Sequence, residues 1–215
     1  GFSTRVDESD RRIQVTGNPV RHEISALPLP NIRYASRSGP LTILVLGGSL
    51  GAQILNETVP AALALIASGD RPRVIHQSGR QHIAALEQTY QACGVQAELV
   101  DFIDDMASRY AQADLVICRA GAITVTELCA AGVASILVPF IASTTSHQRD
   151  NAQWMAQIGA AFHQPQQELN TEALASLIKT MTRERCLQMA EAAYAHGKRD
   201  ANETIARVIE TLGSP

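Results

Sequence analysis

The apolar residues of the chain fall into short β-branched runs separated by longer segments with helical spacing. Strands that are apolar throughout and alternate with helices are typical of a parallel sheet covered on both faces. We therefore predict an α/β fold with a Rossmann-like parallel sheet and helices on both faces. The predicted strands are Leu41–Leu46, Arg73–His76, Glu98–Phe102, Leu115–Cys118 and Ser135–Val138.

The segments between the strands carry apolar residues three and four positions apart, which predicts helices. Gly132 and Gly159 each follow such a segment, where glycine commonly ends a helix. Pro60 predicts a kink or a break in the first of them. The predicted helices are Ala52–Ala67, Gln81–Ala92, Thr124–Ala131, Gln148–Ile158 and three more within Thr171–Leu212.

Composition and charge exclude several classes of protein. Of the 215 residues, 46% are hydrophobic and 18% are charged, as in ordinary globular proteins. The 18 basic and 21 acidic residues are scattered, so no electrostatic footprint for nucleic acid is present. No apolar run approaches the ~20 residues that span a bilayer, which predicts a soluble chain. Four well-separated cysteines favour a reduced, cytoplasmic protein.

Gly47-Gly48-Ser49-Leu50-Gly51 follows the first predicted strand and precedes a helix. Glycines let the backbone approach a ligand closely, and a helix N-terminus offers free N–H groups to phosphate. The spacing matches neither GxGxxG nor GxxxxGK[ST], which disfavours a NAD-binding fold and a Walker-type NTPase. Two interpretations stay open: an anion site to which Ser49 adds a hydroxyl donor, or a tight turn with Ser49 as a helix N-cap.

The block Gly121–Glu127 also lies between a strand and a helix. Thr124-Val125-Thr126-Glu127 fits a capping box, in which the glutamate reaches back to the cap N–H. Alternatively, Glu127 faces the cleft and accepts hydrogen bonds from both hydroxyls of a ribose. One rotamer cannot serve both roles.

Two further loops follow predicted strands. In Phe140–Asn151, His147 and Gln148 are candidates to bind sugar hydroxyls; the alternative is a surface loop capped by Ser146. Asp104, at the other loop, is predicted to be a helix N-cap.

Taken in order, these blocks resemble the MurG family of GT-B glycosyltransferases, glycosyltransferase family 28. The resemblance runs from Thr16 to the C-terminus. Two departures are Leu50, where the family often has Gln, and Ser146, where an acidic residue is often found. The matching blocks are Thr16–Arg21, Gly47–Ala52, His76–Gly79, Phe102–Met106, Arg119–Glu127 and Val138–Phe140 with His147, Gln148, Asn151 and Ala152.

The resemblance implies the donor half of an inverting N-acetylglucosaminyltransferase at the cytoplasmic face of the bacterial inner membrane. Such an enzyme moves GlcNAc from UDP-GlcNAc to lipid I, the undecaprenyl-pyrophosphoryl-muramyl-pentapeptide, to form lipid II. The resemblance implies no metal and no cofactor. Residues 1–20 would be the trailing end of an N-terminal acceptor domain plus linker, and 21–215 the UDP-sugar-binding domain. The acceptor domain would bind lipid I, contact the membrane and supply the catalytic base, so we expect this chain to be inactive alone.

The resemblance also implies roles for individual residues. Arg21 and Ser49 would contact the diphosphate, and Ile103 would meet uracil through its backbone. Gln148 would bind the GlcNAc hydroxyls, and Glu127 the ribose. The nucleoside and phosphates would be held by Ala122, Ile123, Thr124, Val125, Thr126 and Glu127.

Other functions fit the same loops. One is a different UDP-sugar GT-B transferase or a UDP-GlcNAc epimerase, although the blocks at 16–21 and 102–106 argue against both. Another is a nucleotide-sensing module without catalytic activity, because a fold does not fix a function.

Overall fold

A six-stranded parallel sheet forms the centre of the protein in a computed structural model that describes residues 14–48, 52–140 and 146–213. The strand order is β3-β2-β1-β4-β5-β6, so the order reverses between β1 and β4. In open α/β sheets, ligands bind beside the carboxyl ends of the strands at such a reversal. The strands are β1 (Thr42–Leu46), β2 (Arg73–Gln77), β3 (Glu98–Val100), β4 (Leu115–Cys118), β5 (Ala134–Leu137) and β6 (Ala161–His163).

Helices cover both faces of the sheet, as predicted. Alternating residues of β1 explain why: Ile43 and Val45 enter one buried cluster with residues of α3, α4, α8 and α9, whereas Leu44 enters a second with residues of α1, α5, α6 and α7. The helices in the described residues are α1 (His22–Ser25), α2 (Pro30–Ala35), α3 (Gln53–Ala64), α4 (Ile83–Ala92), α5 (Met106–Gln112), α6 (Ala122–Ala131), α7 (His147–Gln157), α8 (Thr171–Lys179), α9 (Arg183–Ala195) and α10 (Ala201–Gly213).

The predicted elements are all present, with shifted ends. Helix α3 continues through Pro60 without a break. Helix α6 begins at Ala122, two residues before the predicted start, because Gly121 and not a side chain forms its N-cap. Gly132 and Gly159 follow α6 and α7 with φ of 63° and 74°. Strand β6 and the short helices α1 and α2 were not predicted.

The segment that precedes α1 packs on α10 and on the residues just before that helix. The Nζ of Lys198 donates to the carbonyl of Val15 at 2.8 Å. The amide of Asn202 accepts from the N–H of Val20 at 3.3 Å and donates to its carbonyl at 3.0 Å. These contacts hold the backbone that leads to Arg21. The domain limit at residue 21 stays a prediction.

Asp114 organises the opposite, amino edge of the sheet. Its carboxylate accepts from the guanidinium of Arg37 at 2.7 Å and from the N–H of Thr42 at 2.8 Å, and Arg183 lies 3.6 Å away. The group is buried, and its partners come from three separate segments. It therefore joins elements at the edge remote from the strand ends where ligands bind.

None of the described helices is long and apolar enough to cross a membrane. The four cysteines are free thiols, of which Cys118, Cys129 and Cys186 are buried.

Candidate functional site

Helix α6 begins at the reversal of strand order with unpaired backbone donors. Its N-cap, Gly121, contributes no side-chain hydrogen bond, and the N–H of Val125 is the first in the helix to find a partner, the Gly121 carbonyl at 2.9 Å. Within the described residues, the N–H groups of Ala122, Ile123 and Thr124 therefore lack backbone partners. A helix N-terminus of this kind attracts an anion through its free donors and the helix dipole.

The carboxylate of Glu127 lies one turn into α6 and is held at both oxygens. Oε2 accepts from the hydroxyl of Tyr110 at 3.0 Å, and Oε1 accepts from the guanidinium of Arg21 at 3.2 Å. The capping-box interpretation is therefore wrong: the helix starts at Ala122, and Glu127 does not reach back to a cap N–H. Its side chain is 13% exposed.

Tyr110 is wholly buried behind Glu127. Burial raises the pKa of its phenol well above the ordinary value, and the neighbouring carboxylate of Glu127 adds to the rise. The phenol thus keeps its proton and donates to Glu127 over the whole physiological pH range. No sequence motif marked Tyr110 as a site residue.

The remaining predicted residues of α6 face different surroundings. Ala122 and Ile123 are exposed, Thr124 is half-buried, and the side chain of Val125 lies in the core. The hydroxyl of Thr126 donates to the Ala122 carbonyl at 2.8 Å and accepts from the amide of Asn18 at 2.9 Å. Val125 and Thr126 can therefore contribute to a site only by positioning the backbone of α6.

Ile103 lies on the loop between β3 and α5, with its side chain 8% exposed and packed in the core. Among described residues, no group donates to or accepts from its backbone, which leaves one donor and one acceptor for a ligand. The predicted N-cap is one residue too early: Asp105, not Asp104, accepts from the N–H of Ser108 at 2.9 Å.

The glycine turn after β1 comes close to the end of β2. A Cβ at Gly47 would lie 2.9 Å from the carbonyl oxygen of Gln77 and 3.2 Å from the Ala52 nitrogen, so a side chain does not fit there. Gly48 has a φ of 76°. Helix α3 starts at Gln53 with Ala52 as its N-cap, so the interpretation of Ser49 as the N-cap is wrong. Ser49 itself lies outside the described residues, and its contact with an anion stays a prediction.

Gln148 and Arg119 face a cleft of about 560 Å³ next to the glycine turn. Oε1 of Gln148 accepts from the N–H of Phe140 at 2.9 Å. The Arg119 guanidinium donates to the Val138 carbonyl at 3.1 Å and to Oε1 of Gln166 at 2.6 Å. Sequence reasoning proposed no role for Arg119. The cleft is lined by Ala52, Gln53, Ile54, Glu57, Arg119, Phe140, Gln148 and Gln166.

Ser146 precedes α7 but does not cap it with its side chain. Its hydroxyl donates instead to the carboxylate of Asp150 at 2.9 Å. The exposed His147 begins the helix. The rest of the preceding loop, residues 141–145, lies outside the described residues.

Residues 42–205 match the glycosyltransferase family 28 C-terminal domain, which is well over half of the chain. The chain belongs to glycosyltransferase family 28. A relative from Herminiimonas arsenicoxydans, named UDP-N-acetylglucosamine--N-acetylmuramyl-(pentapeptide) pyrophosphoryl-undecaprenol N-acetylglucosamine transferase, is 63% identical over 99% of this chain. The chain spans 59% of that relative's length.

Solved structures agree with the family. The crystal structure of Acinetobacter baumannii MurG is 37% identical, with a TM-score of 0.81 over 87% of this chain and 55% of its own. The resemblance to the MurG family is thus confirmed. A putative UDP-N-acetylglucosamine 2-epimerase from Listeria monocytogenes shares the fold alone, at 16% identity and a TM-score of 0.58 over 93% of this chain and 52% of its own.

Proposed function

We propose that this chain binds UDP-GlcNAc and forms the donor half of an enzyme that transfers GlcNAc to lipid I, yielding lipid II. One observation carries the proposal: the Glu127 carboxylate is held by Tyr110 and Arg21 one turn behind the free N–H groups that start α6. A carboxylate that can accept from ribose hydroxyls thus lies next to a group of donors suited to a diphosphate. The name of the relative at 63% identity supports the same activity.

The other predicted contacts surround this centre. The unpaired backbone of Ile103 offers uracil a donor and an acceptor. The Nε2 of Gln148, in the cleft beside the glycine turn, is placed to meet the GlcNAc hydroxyls. The diphosphate contact of Ser49, which lies outside the described residues, is a further part of the proposal. Arg21 donates to Oε1 of Glu127, and in our proposal it shifts towards the phosphates when the ribose binds. Its half-exposed side chain is free to do so.

This arrangement acts on the leaving group of the reaction. As the bond from the sugar to UDP breaks, negative charge grows on the β-phosphate. Backbone N–H groups fixed at the start of α6 stabilise that charge without having to reorganise. The sugar carbon is attacked from the opposite side by the acceptor hydroxyl, which gives inversion. In our proposal the base that takes the hydroxyl proton belongs to an acceptor domain outside this chain.

Lipid I, the acceptor in the proposed reaction, would bind outside the described residues. We infer that residues 1–20 lead from an acceptor domain that binds lipid I and contacts the cytoplasmic face of the bacterial inner membrane. This chain alone is then inactive as a transferase. The relative's name favours this transferase over an epimerase. The only support for an epimerase is the fold that it shares with this chain.

Isothermal titration calorimetry with UDP, UDP-GlcNAc and ADP tests the donor site. We expect UDP and UDP-GlcNAc to bind and ADP to bind at least tenfold more weakly. Glu127→Gln should weaken UDP binding by about tenfold, because it halves the acceptor capacity of the group that meets the ribose. Glu184→Gln, at an exposed glutamate in the first turn of α9, is the matched control. Absence of heat with millimolar UDP would overturn the proposal.

A further inference from the structure

The side chain of Gln77 bridges two loops across the end of β2. Its Oε1 accepts from the N–H of Gly48 at 3.0 Å. Its Nε2 donates to the Gly48 carbonyl at 3.2 Å and to the Asp101 carbonyl at 3.0 Å. A primary amide has two N–H donors, and here each has a carbonyl to meet. The amide is therefore fully used by backbone groups of two different loops.

These contacts extend the sheet by one residue on either side. Backbone hydrogen bonds join Gly47 N–H to the Gln77 carbonyl at 2.9 Å and Ser78 N–H to the Val100 carbonyl at 3.0 Å. Beyond these two bonds the chain continues into loops. There the Gln77 amide, in place of a neighbouring strand, bonds the backbone of Gly48 and the carbonyl of Asp101. Gly48, which the amide contacts through both its N–H and its carbonyl, has a positive φ of 76°.

The location of the two loops connects Gln77 to the donor site. Gly48 directly precedes Ser49, the predicted diphosphate contact, and Asp101 lies two residues before Ile103, the predicted uracil contact. Gln77 is 5% exposed and its amide is already occupied, so it has no free group to offer a ligand. Its contacts instead fix the separation of Gly48 and Asp101.

We propose that Gln77 is a positioning residue of the donor site, which sets the distance between Gly48, in the loop after β1, and Asp101, in the loop after β3. This inference rests on the proposed function, since it takes UDP as the ligand. It adds a residue that contacts neither nucleotide nor sugar. UDP and UDP-GlcNAc should depend on Gln77 because they engage both loops, whereas uridine should depend on it less because it engages only the loop after β3.

Two substitutions separate the hydrogen bonds from charge. Gln77→Glu keeps the size and one acceptor but turns an oxygen towards two carbonyls. Gln77→Met keeps the length and removes every hydrogen bond without adding charge. We expect either variant to weaken UDP binding about tenfold or more and uridine binding less than threefold. Hydrogen exchange at the Gly48 amide should also become faster in Gln77→Met, because its acceptor is lost.

Asp114→Asn is the matched control for a general loss of stability. It weakens a buried network at the amino edge of the same sheet, so it should lower the melting temperature while UDP affinity stays within twofold. If one Gln77 variant does not fold, the other still gives the comparison.

The outcomes distinguish this inference from the proposed function. Normal UDP binding by wild type with a tenfold loss in a Gln77 variant, and none in Asp114→Asn, supports the inference. If wild type and both Gln77 variants bind UDP with affinities within twofold of one another, the inference is overturned and the proposed function stays intact. Equal losses for UDP and uridine also overturn it, because they indicate general unfolding of the site. If wild type binds neither ligand, the proposed function fails and the positioning role fails with it.

Discussion

The buried hydroxyl of Tyr110 donates a hydrogen bond to Oε2 of Glu127 at 3.0 Å, from a helix on the neighbouring segment of the chain. The bond holds the carboxylate beside Tyr110 and Arg21 and keeps it from turning back to the start of α6. Because the phenol stays protonated, the orientation of Glu127 does not change with pH in the physiological range.

Tyr110→Phe should therefore weaken UDP binding about fivefold to tenfold while lowering the free energy of unfolding by about 1–2 kcal/mol. Titration calorimetry checks the affinity, and urea unfolding checks the stability. With 2′-deoxy-UDP the substitution should weaken binding less. Tyr110 positions Glu127, and this ligand lacks the ribose 2′-hydroxyl that Glu127 would accept from.

Tyr34→Phe is the control, since this buried hydroxyl donates to the Asp114 carbonyl at 2.9 Å at the amino edge of the sheet. It should reduce stability similarly and leave UDP affinity unchanged. Equal effects of the two substitutions on UDP binding would contradict a specific role for Tyr110.

Arg21→Gln should separate phosphate binding from stability. The pair with Glu127 involves a guanidinium that is 50% exposed, so its loss should change the free energy of unfolding by less than about 0.5 kcal/mol. If Arg21 moves to the diphosphate, affinity for UDP should fall about tenfold while affinity for uridine stays constant or rises. Titration with both ligands decides this.

Arg73→Gln, an exposed arginine at the amino end of β2, serves as the control for the loss of one positive charge. A similar fall in UDP affinity in this variant would show that Arg21 acts only through net charge.

The elements predicted correctly from the sequence are those with a strong local pattern. Apolar β-branched runs gave β1 and β4, which lie at the centre of the sheet and are buried on both faces. Strand β6 has only three residues, two of them half-buried, and carries no such pattern. Helices α1 and α2 have four and six residues and depend on tertiary contacts, such as those that Arg33 makes to the carbonyls of Ala131 and Gly132.

The candidate site shows the same division. The glycine turn and the start of α6 were recognised from consecutive residues. The choice between the two roles of Glu127 needed a partner 17 residues away, and the role of Gln77 needed partners 24 and 29 residues away. Hydrogen bonds across such separations are set by strand order, which local sequence does not encode.

Gly48→Ala and Gly39→Ala form a matched pair. The two glycines have φ of 76° and 74°, and a Cβ at either meets open space. Each substitution should cost about 1 kcal/mol or slightly more, because a side chain disfavours the left-handed region. Only Gly48→Ala should also weaken UDP binding, by about fivefold, since relief of the strain moves the turn that Gln77 holds. Equal UDP affinity in the two variants would contradict a role for the turn geometry.

His76 predicts a dependence of stability on pH. It is buried between Asn56 and Tyr90, with Nε2 donating to Asn56 Oδ1 at 3.1 Å and Nδ1 accepting from the Tyr90 hydroxyl at 3.0 Å. Burial raises the pKa of the Tyr90 phenol, so that the hydroxyl remains a donor, and lowers the pKa of His76 to about 3. The neutral imidazole satisfies both contacts, whereas a proton on Nδ1 would oppose the hydroxyl.

The unfolded chain binds a proton at this histidine near its ordinary pKa of about 6.5, whereas the folded chain does not until near pH 3. Stability is therefore present above about pH 6.5 and is lost as the pH falls. Between pH 7 and pH 5 the loss from this group should be about 2 kcal/mol, measurable by urea unfolding at the two pH values. His76→Gln should reduce the pH 7 to pH 5 difference by that amount, whereas His22→Gln, on an exposed side chain, should not. An unchanged difference in His76→Gln would show that the buried imidazole does not control the acid sensitivity of the fold.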